Sequence, residues 1–296
     1  MDWLARGGGV IVVLLVLRDI FHTLGHPEGQ GSMSRFVMEA IWRFSQLRDG
    51  KSRLAQLTGP LALFSVILVW ALLAVVGWAF IYLPSVPMGF TYSSPVSASP
   101  ALDSLYISLV AISTLGFGDI VPTPGWLRIV IPLEALFGFA LLTVAVSWIL
   151  QVYPALGRRR VLAIRLSSFQ RAALHTRLSD GETLLIPQML ESLSTEIIRA
   201  RVDLSEYSET YYFRDTDPDT SLAAMLPYAV SLALTGSRSN QLDMRLAATL
   251  LTCALDDFTD LLKDRFPKTP ATTLNLLDAY AADHGHRPRS EEVATQ

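Results

Sequence analysis

The chain has 296 residues, 51% of them hydrophobic and 17% charged, with a net charge of −3. That balance is too apolar for an ordinary soluble domain, which makes a membrane protein the first class to test, and no nucleic-acid partner is expected. The single cysteine, Cys253, excludes an intramolecular disulfide and a cysteine-rich metal site.

The first apolar run, Gly7 to Leu17, covers about eleven residues before it meets Arg18, Asp19 and His22. It spans a bilayer if those polar groups are paired or snorkel to the interface. The competing reading is a signal peptide, with Arg6 as its charged region and Val10 to Leu17 as its apolar one. No small-residue cleavage site follows and Arg18-Asp19 fits that reading poorly, so residues 1–25 are taken as a retained transmembrane helix with Met1 outside. Residues 26–59 form a cytoplasmic or interfacial segment. Within it Phe36, Ile41, Phe44 and Leu47 recur at near-helical spacing, with Arg35, Glu39, Arg43 and Arg48 between them. Such a helix lies on the inner leaflet or packs on the rest of the protein.

Leu61 to Leu83 holds no charged residue, has Pro60 at a plausible first helical position and is stopped by Pro84 and Pro87. It reads as a spanning helix. After a Ser/Pro-rich stretch, Ser85 to Pro100, comes a second apolar run, Leu102 to Ile112. At about eleven residues it is too short to cross and fits a re-entrant half-helix, with Asp103 as its cap. Ile129 to Tyr153 is the second spanning helix, interrupted only by Glu134 and followed by Arg158-Arg159-Arg160.

Positive charges set the orientation. Arg35, Arg43, Arg48, Lys51 and Arg53 precede the first strong span, and Arg158, Arg159, Arg160 and Arg165 follow the second. From Pro84 to Trp126 there is no Lys or Arg. Both flanks therefore face the cytoplasm of an inner (plasma) membrane, the connecting segment is outside, and the bilayer is the first partner.

Between half-helix and second span lie Ser113, Thr114, Leu115, Gly116, Phe117, Gly118 and Asp119. Two glycines one residue apart, at membrane depth, let the backbone leave helical geometry, which is tolerated there only where it is buried or lines a polar pathway. An ion pathway gives a reason for the pattern. A dehydrated cation needs replacement oxygens, and carbonyls turned inward from several subunits supply them as rings, with the Thr114 hydroxyl as the innermost. The negative end of the half-helix dipole points the same way.

A half-helix followed by T-L-G-F-G-D, set between two spanning helices, resembles the pore loop of potassium channels, whose common filter reads T-V-G-Y-G. The likeness in layout runs from about Pro60 to Tyr153, and the Phe variant occurs in bacterial relatives and in animal two-pore-domain channels. The resemblance implies that carbonyls of Thr114, Leu115, Gly116 and Phe117 bind K+ as the permeant ion, with Gly118 completing the loop and Ser113 supporting it. It also implies four pore loops per pore, hence a homotetramer. In the family a Trp eight positions before the filter threonine bonds the Asp after the filter. That place is Tyr106 here, and its phenol is able to donate to Asp119, although a lipid-facing aromatic is the alternative. Where some channels carry a Glu on the pore helix, this chain has Val110.

Glu134 is either a structural hydrogen-bonding group behind the filter or a gating and pH-sensing one. Gly138 stands where the family's inner helix often bends, or else permits close helix packing. Pro132 is a further place for a kink.

From about Gly157 helical amphipathic patterns replace membrane-length runs: Leu162 to Leu178, Glu182 to Val202, Leu222 to Leu234, Leu242 to Phe266 and Thr272 to Asp283. Breaks fall at Ser179-Asp180-Gly181, Asp215 to Asp219 and Gly236 to Asn240, and Pro267 and Pro270 end the fourth. No G-x-G-x-x-G follows a strand, so a dinucleotide-fold regulatory domain is not expected. Tyr207, Tyr211, Tyr212 and Phe213 read as packing aromatics, His284 and His286 as part of a polar tail, and Asp256, Asp257 and Asp260 as a solvated face. The reading is an all-α membrane protein: an N-terminal helix, a tetrameric pore-loop channel over 60–154, a cytoplasmic all-helical domain over 155–284 and a flexible tail over 285–296. No covalent cofactor and no enzymatic machinery are expected, and the sequence names no regulatory ligand. The alternatives are a weakly selective cation channel and a membrane-anchored signalling protein with a vestigial pore loop.

Overall fold

A computed structural model describes residues 2–25, 31–47, 57–93, 99–177, 185–266, 269 and 272–287. Expectations for Arg48, Lys51, Arg53, Ser94, Ser179 to Gly181, Pro267, Pro270 and positions 288–296 lie outside the described residues. The chain is mostly helical and divides into two compact units, residues 1–40 with 62–151, and residues 41–61 with 152–296.

Two helices are long and apolar enough to cross a bilayer, α3 (Thr58–Tyr82), continued by a 3-10 turn to Ser85, and α5 (Leu127–Arg171). Helix α1 (Asp2–Gly25) has 24 residues, about 36 Å at 1.5 Å each. It carries Arg6, Arg18 and Asp19 and falls outside that apolar class. It runs antiparallel to α3. Arg6 donates to the Ser85 hydroxyl at 3.1 Å, a Cβ on Gly9 would lie 2.4 Å from the Gly77 carbonyl oxygen, and Trp70 Nε1 donates to Asp19 at 2.9 Å. The glycine pair lets the backbones touch, as small residues do where helices cross in membranes.

Asp19 is buried and fully used. Besides Trp70 it accepts from the backbone N–H of Met33 and Ser34 and from the Ser34 hydroxyl at 2.6 Å. Those amides belong to the first turn of α2 (Ser32–Leu47), so the carboxylate caps the next helix, with its charge at the positive end of the helix dipole. The polar group that complicated the first apolar run is thus paired.

The half-helix is α4 (Pro100–Ile112). Its N-cap is Ser99, not Asp103. Asp103 sits inside the first turn, where its carboxylate accepts from the Tyr92 hydroxyl at 3.0 Å. A three-residue antiparallel ribbon, β1 (Phe90–Tyr92) and β2 (Ile120–Pro122), pairs Thr91 with Val121. This ribbon departs from the all-α expectation, because β2 begins directly after the T-L-G-F-G-D segment and ties the outer loop to it.

The span expected to end at Tyr153 and the helix expected to start at Leu162 are one helix, α5, which runs unbroken through 45 residues and across Pro154 and Gly157. Proline and glycine weaken a helix locally, but Val152, Ala155, Leu162, Ala163 and Leu166 form a buried stripe at helical spacing across both breakers. Packing outweighs propensity there. Ala173, at φ 51°, ends the helical run.

The second unit holds the short α6 (Leu174–Arg177), then α7 (Leu185–Glu206), α8 (Leu222–Ser237), α9 (Leu242–Asp260) and α10 (Thr273–Asp283). Helix α7 buries Ile186, Leu190, Leu193 and Ile197 on one face, whereas α8 is apolar on most sides and largely buried, as befits a central helix. Tyr211, Tyr212 and Phe213 are packing aromatics, with the Arg265 guanidinium 3.9 Å over Tyr211. His284 is not in a tail. It is buried at the end of α10 between the carbonyls of Tyr280 and Tyr211, at 3.0 and 2.8 Å, because α10 docks its last turn against the aromatic group. Burial and Arg159 push its pKa down. His286 likewise meets the Asp215 carbonyl at 2.9 Å.

Glu209, in the 3-10 turn Ser208–Tyr212, is buried with Oε2 unpartnered, and burial pushes its pKa up to about 7. The folded state therefore holds this proton more tightly than the unfolded chain. The stability it contributes is full below the unfolded value near 4.5 and is lost as pH rises through 7, about 3 kcal/mol in all. Denaturant unfolding of the full chain should show Glu209→Gln more stable than wild type at pH 8 and nearly equal to it at pH 4.5.

Candidate functional site

The site is built around α4 and the loop after it. The last turn of α4 is closed by amides of the loop: Ser113 N donates to Leu109 O, Thr114 N to Ala111 O at 2.9 Å and Leu115 N to Val110 O at 3.0 Å. The Ser113 hydroxyl donates back to the Leu109 carbonyl at 2.5 Å. These bonds turn the chain out of the helix without leaving carbonyls orphaned in an apolar setting.

From there the backbone changes hand at every second residue. Thr114, Gly116 and Gly118 have φ of 57°, 56° and 75°, while Leu115 and Phe117 stay negative. Glycine takes positive φ freely, but a β-branched threonine in that region is strained by about 1–3 kcal/mol. Such strain persists only where the surroundings over-determine it, and both ends of the loop are held.

The outer end is held by Tyr106, whose hydroxyl donates to Asp119 Oδ2 at 2.6 Å, and by the ribbon, extended by Ser93 N donating to Asp119 O at 2.9 Å. The inner end is held by α5. Glu134 is fully buried and joins three helices. The Tyr82 hydroxyl of α3 donates to Oε2 at 2.6 Å, and the Ser108 hydroxyl of α4 lies 2.5 Å from Oε1. Ser108 Oγ is also 3.0 Å from the Val75 carbonyl of α3, so its single proton serves one of two acceptors at a time. One turn along α5, a Cβ at Gly138 would lie 2.1 Å from the Ile112 carbonyl oxygen. Close packing is what the structure shows at Gly138, and α5 stays helical there.

Of the residues the sequence singled out, Tyr106, Ser113 and Asp119 meet at the two ends of the loop, while Glu134 and Gly138 pack against the half-helix that precedes it. The structure also adds residues not foreseen. Tyr82 and Ser108 complete the Glu134 junction, and the visible signal for Ser108 was a hydroxyl in the apolar second half of the half-helix, Ile107 to Ile112. Tyr92 and the ribbon had no signal, being three residues long. The middle of the loop is uncovered in a single chain, with Leu115 and Phe117 60% and 65% exposed. So is a stripe on α5 comprising Ile129, Leu133, Leu136, Phe139, Leu142 and Val146. Among the described residues no cluster of acidic, His and Cys side chains suited to a metal ion occurs.

Comparison with known proteins agrees with this layout. Residues 65–153 match the family model described as an ion channel, and this part of the chain is an ion-channel domain. The chain is 26% identical over 162 residues to the uncharacterized membrane protein YdjJ of Bacillus subtilis, which covers 53% of this chain and 47% of that one. It is 37% identical over 54 residues to two-pore potassium channel 5 of Arabidopsis thaliana, 18% of this chain and 13% of that one. A Rhodopseudomonas palustris protein named as a candidate potassium channel is 27% identical over 94 residues, 32% of this chain and 23% of its own. The chain thus spans about half the length of the first of these relatives and less of the others. No solved structure matches it.

Removing the carboxyl group from the junction leaves the Tyr82 hydroxyl buried and unpaired, at about 1–3 kcal/mol, while Ser108 keeps the Val75 carbonyl as its acceptor. Glu134→Ala should therefore lower the thermal midpoint of the purified protein by several degrees. Glu134→Gln keeps an acceptor for Tyr82 and a donor for Ser108, and should stay within about 1 kcal/mol of wild type.

Proposed function

We propose that the chain is one subunit of a homotetrameric, potassium-selective channel whose filter is Thr114 to Gly118. The observation that carries this reading is the alternation of hand at Thr114, Gly116 and Gly118 directly after a half-helix. Residues of alternating hand present successive carbonyls on one side of a strand, the geometry in which oxygens stand in for the water around a dehydrated ion. Asp119 and Tyr106 brace the outer end. A relative named as a two-pore potassium channel and the ion-channel domain both favour the same reading.

In this proposal α1 also spans, giving three crossings per subunit with Met1 outside. The antiparallel packing on α3 through Gly9 and Gly77 supports it, as does the pairing of Asp19. The second unit is a cytoplasmic helical domain that biases the gate. Its support is α5 itself, one uninterrupted helix from behind the filter into that unit, in place of a flexible linker. A domain shifts a gate only by its differential stability in the open and closed states.

The decisive measurement is potassium flux from liposomes containing the purified protein. Wild type should pass K+ in preference to Na+. Gly116→Ala and Gly118→Ala each place a Cβ on a backbone of positive φ, at about 1–2 kcal/mol, and should cut selective flux at least tenfold while the protein stays membrane-inserted. Unselective flux in the wild type would favour a weakly selective cation channel, and no flux would favour an anchored protein with a vestigial loop.

Topology is testable on a Cys253→Ser background. A cysteine at the exposed Met88 should react with an impermeant thiol reagent from outside, and one at the exposed Glu191 only from inside. The opposite pattern would overturn the orientation.

A further inference from the structure

The second unit contains a cavity of about 380 Å³ beside Pro60, at the start of α3, and Tyr153 to Arg160, where α5 leaves its apolar run. Its wall carries three guanidinium groups, from Arg159, Arg160 and Arg214, against two carboxylates, from Asp215 and Asp217. Asp215 is shared: Arg159 donates to it at 3.3 Å and Arg160 at 2.6 Å, so one negative charge answers two positive ones. Arg159 is otherwise occupied, donating to the carbonyls of Thr210 and Phe213 at 2.6 and 2.8 Å. Arg160 keeps 59% of its side chain exposed.

Arg214 is the unusual member. It is only 7% exposed, its guanidinium lies 4.0 Å from the Trp42 ring centroid, and it donates to the backbone carbonyl of Asp283 at 3.2 Å. Among the described residues no carboxylate pairs with it, and its Nε has no partner at all. The Asp283 carboxylate offsets its charge only in part, burial prevailing to push its pKa down, and a buried N–H left without an acceptor is costly, a cost that an anion in the cavity relieves. A second, independent feature points the same way. Thr220, which lines the cavity, precedes the N-cap of the 16-residue helix α8, and no side chain caps that helix end. Its free amides and positive dipole end favour an anion as well.

We propose that this cavity binds a phosphate group, held between Arg214, Arg160 and the N-terminus of α8. Phosphate suits the forked geometry of guanidinium better than a monatomic anion does. The group is supplied either by an anionic lipid headgroup or by a soluble phosphate ester. The lipid source rests on the proposed orientation, which puts the start of α3 and Tyr153 to Arg160 at the inner membrane surface, where basic clusters meet anionic lipid. The binding chemistry itself does not depend on it.

The test uses the full-length protein and reads its thermal midpoint, so it needs no ion flux and fails or succeeds independently of the channel reading. One arm titrates delipidated protein in detergent with inorganic phosphate and with glycerol phosphate. The other compares nanodiscs of phosphatidylcholine alone with nanodiscs that also contain phosphatidylglycerol. A raised midpoint with the soluble phosphates identifies a soluble ester as a ligand, and a rise with phosphatidylglycerol alone identifies the headgroup. In whichever arm responds, Arg160→Gln should weaken apparent affinity about tenfold and Asp217→Asn should tighten it severalfold, both at exposed positions that leave the fold intact. Arg214→Gln should abolish the response. If Arg214→Gln does not fold, the two exposed variants decide alone. No shift in either arm, or a shift that Arg160→Gln and Asp217→Asn leave unchanged, would overturn the proposal.

Discussion

The carboxyl group of Glu134 is the constraint on which the pore segment depends. Helix α4 has 13 residues, about 20 Å, so it cannot anchor itself by reaching both membrane surfaces. Its depth and rotation are set sideways, by what it touches on α3 and α5. A carboxyl group shut away from water is tolerable only when its oxygens are occupied, and Tyr82 and Ser108 occupy them. Each of the three partners comes from a different helix, so none moves along its axis without breaking a bond in an apolar setting. Gly138 adds a steric stop one turn further on, with the Ile112 carbonyl fitted where its side chain would be. Only Ser113 separates Ile112 from Thr114. The position of the loop is therefore inherited from the junction behind it.

Much of this was legible in the sequence because it rests on lengths and on glycines. An uncharged run of bilayer length, a shorter one and paired glycines are one-dimensional signals, and each gave an element close to its observed bounds. The failures share a physical cause. Pro154 and Gly157 are strong local breakers, yet α5 crosses both because Val152, Ala155 and Leu162 pack on one face, a tertiary contact that local propensity does not contain. His284 looks like a tail residue by its polar neighbours, and only the docking of α10 reveals the two carbonyls around it. Asp103 has the right chemistry for a cap, but the helix starts at Pro100, three residues earlier, and Tyr92 takes the carboxylate instead. The Tyr106 to Asp119 bond lies between these cases: the residue types suggest it, and only the fold fixes its 2.6 Å length.

A strained loop that is pinned at both ends and bare in the middle is unfinished as a single chain. Its alternating φ values carry a cost at Thr114, and the neighbouring Leu115 and Phe117 stay largely exposed in the single chain. One loop offers one column of carbonyls, whereas a dehydrated cation needs oxygens on all sides. On the proposed reading, cyclic assembly would resolve both deficits at once: copies of the loop around an axis would complete the oxygen rings, and the exposed apolar stripe on α5 from Ile129 to Val146 would gain neighbours in the same arrangement. On the proposed reading, then, the ion and the neighbouring subunits are what the strain is held for, and the Glu134 junction supplies the rigidity that holds it until both are in place.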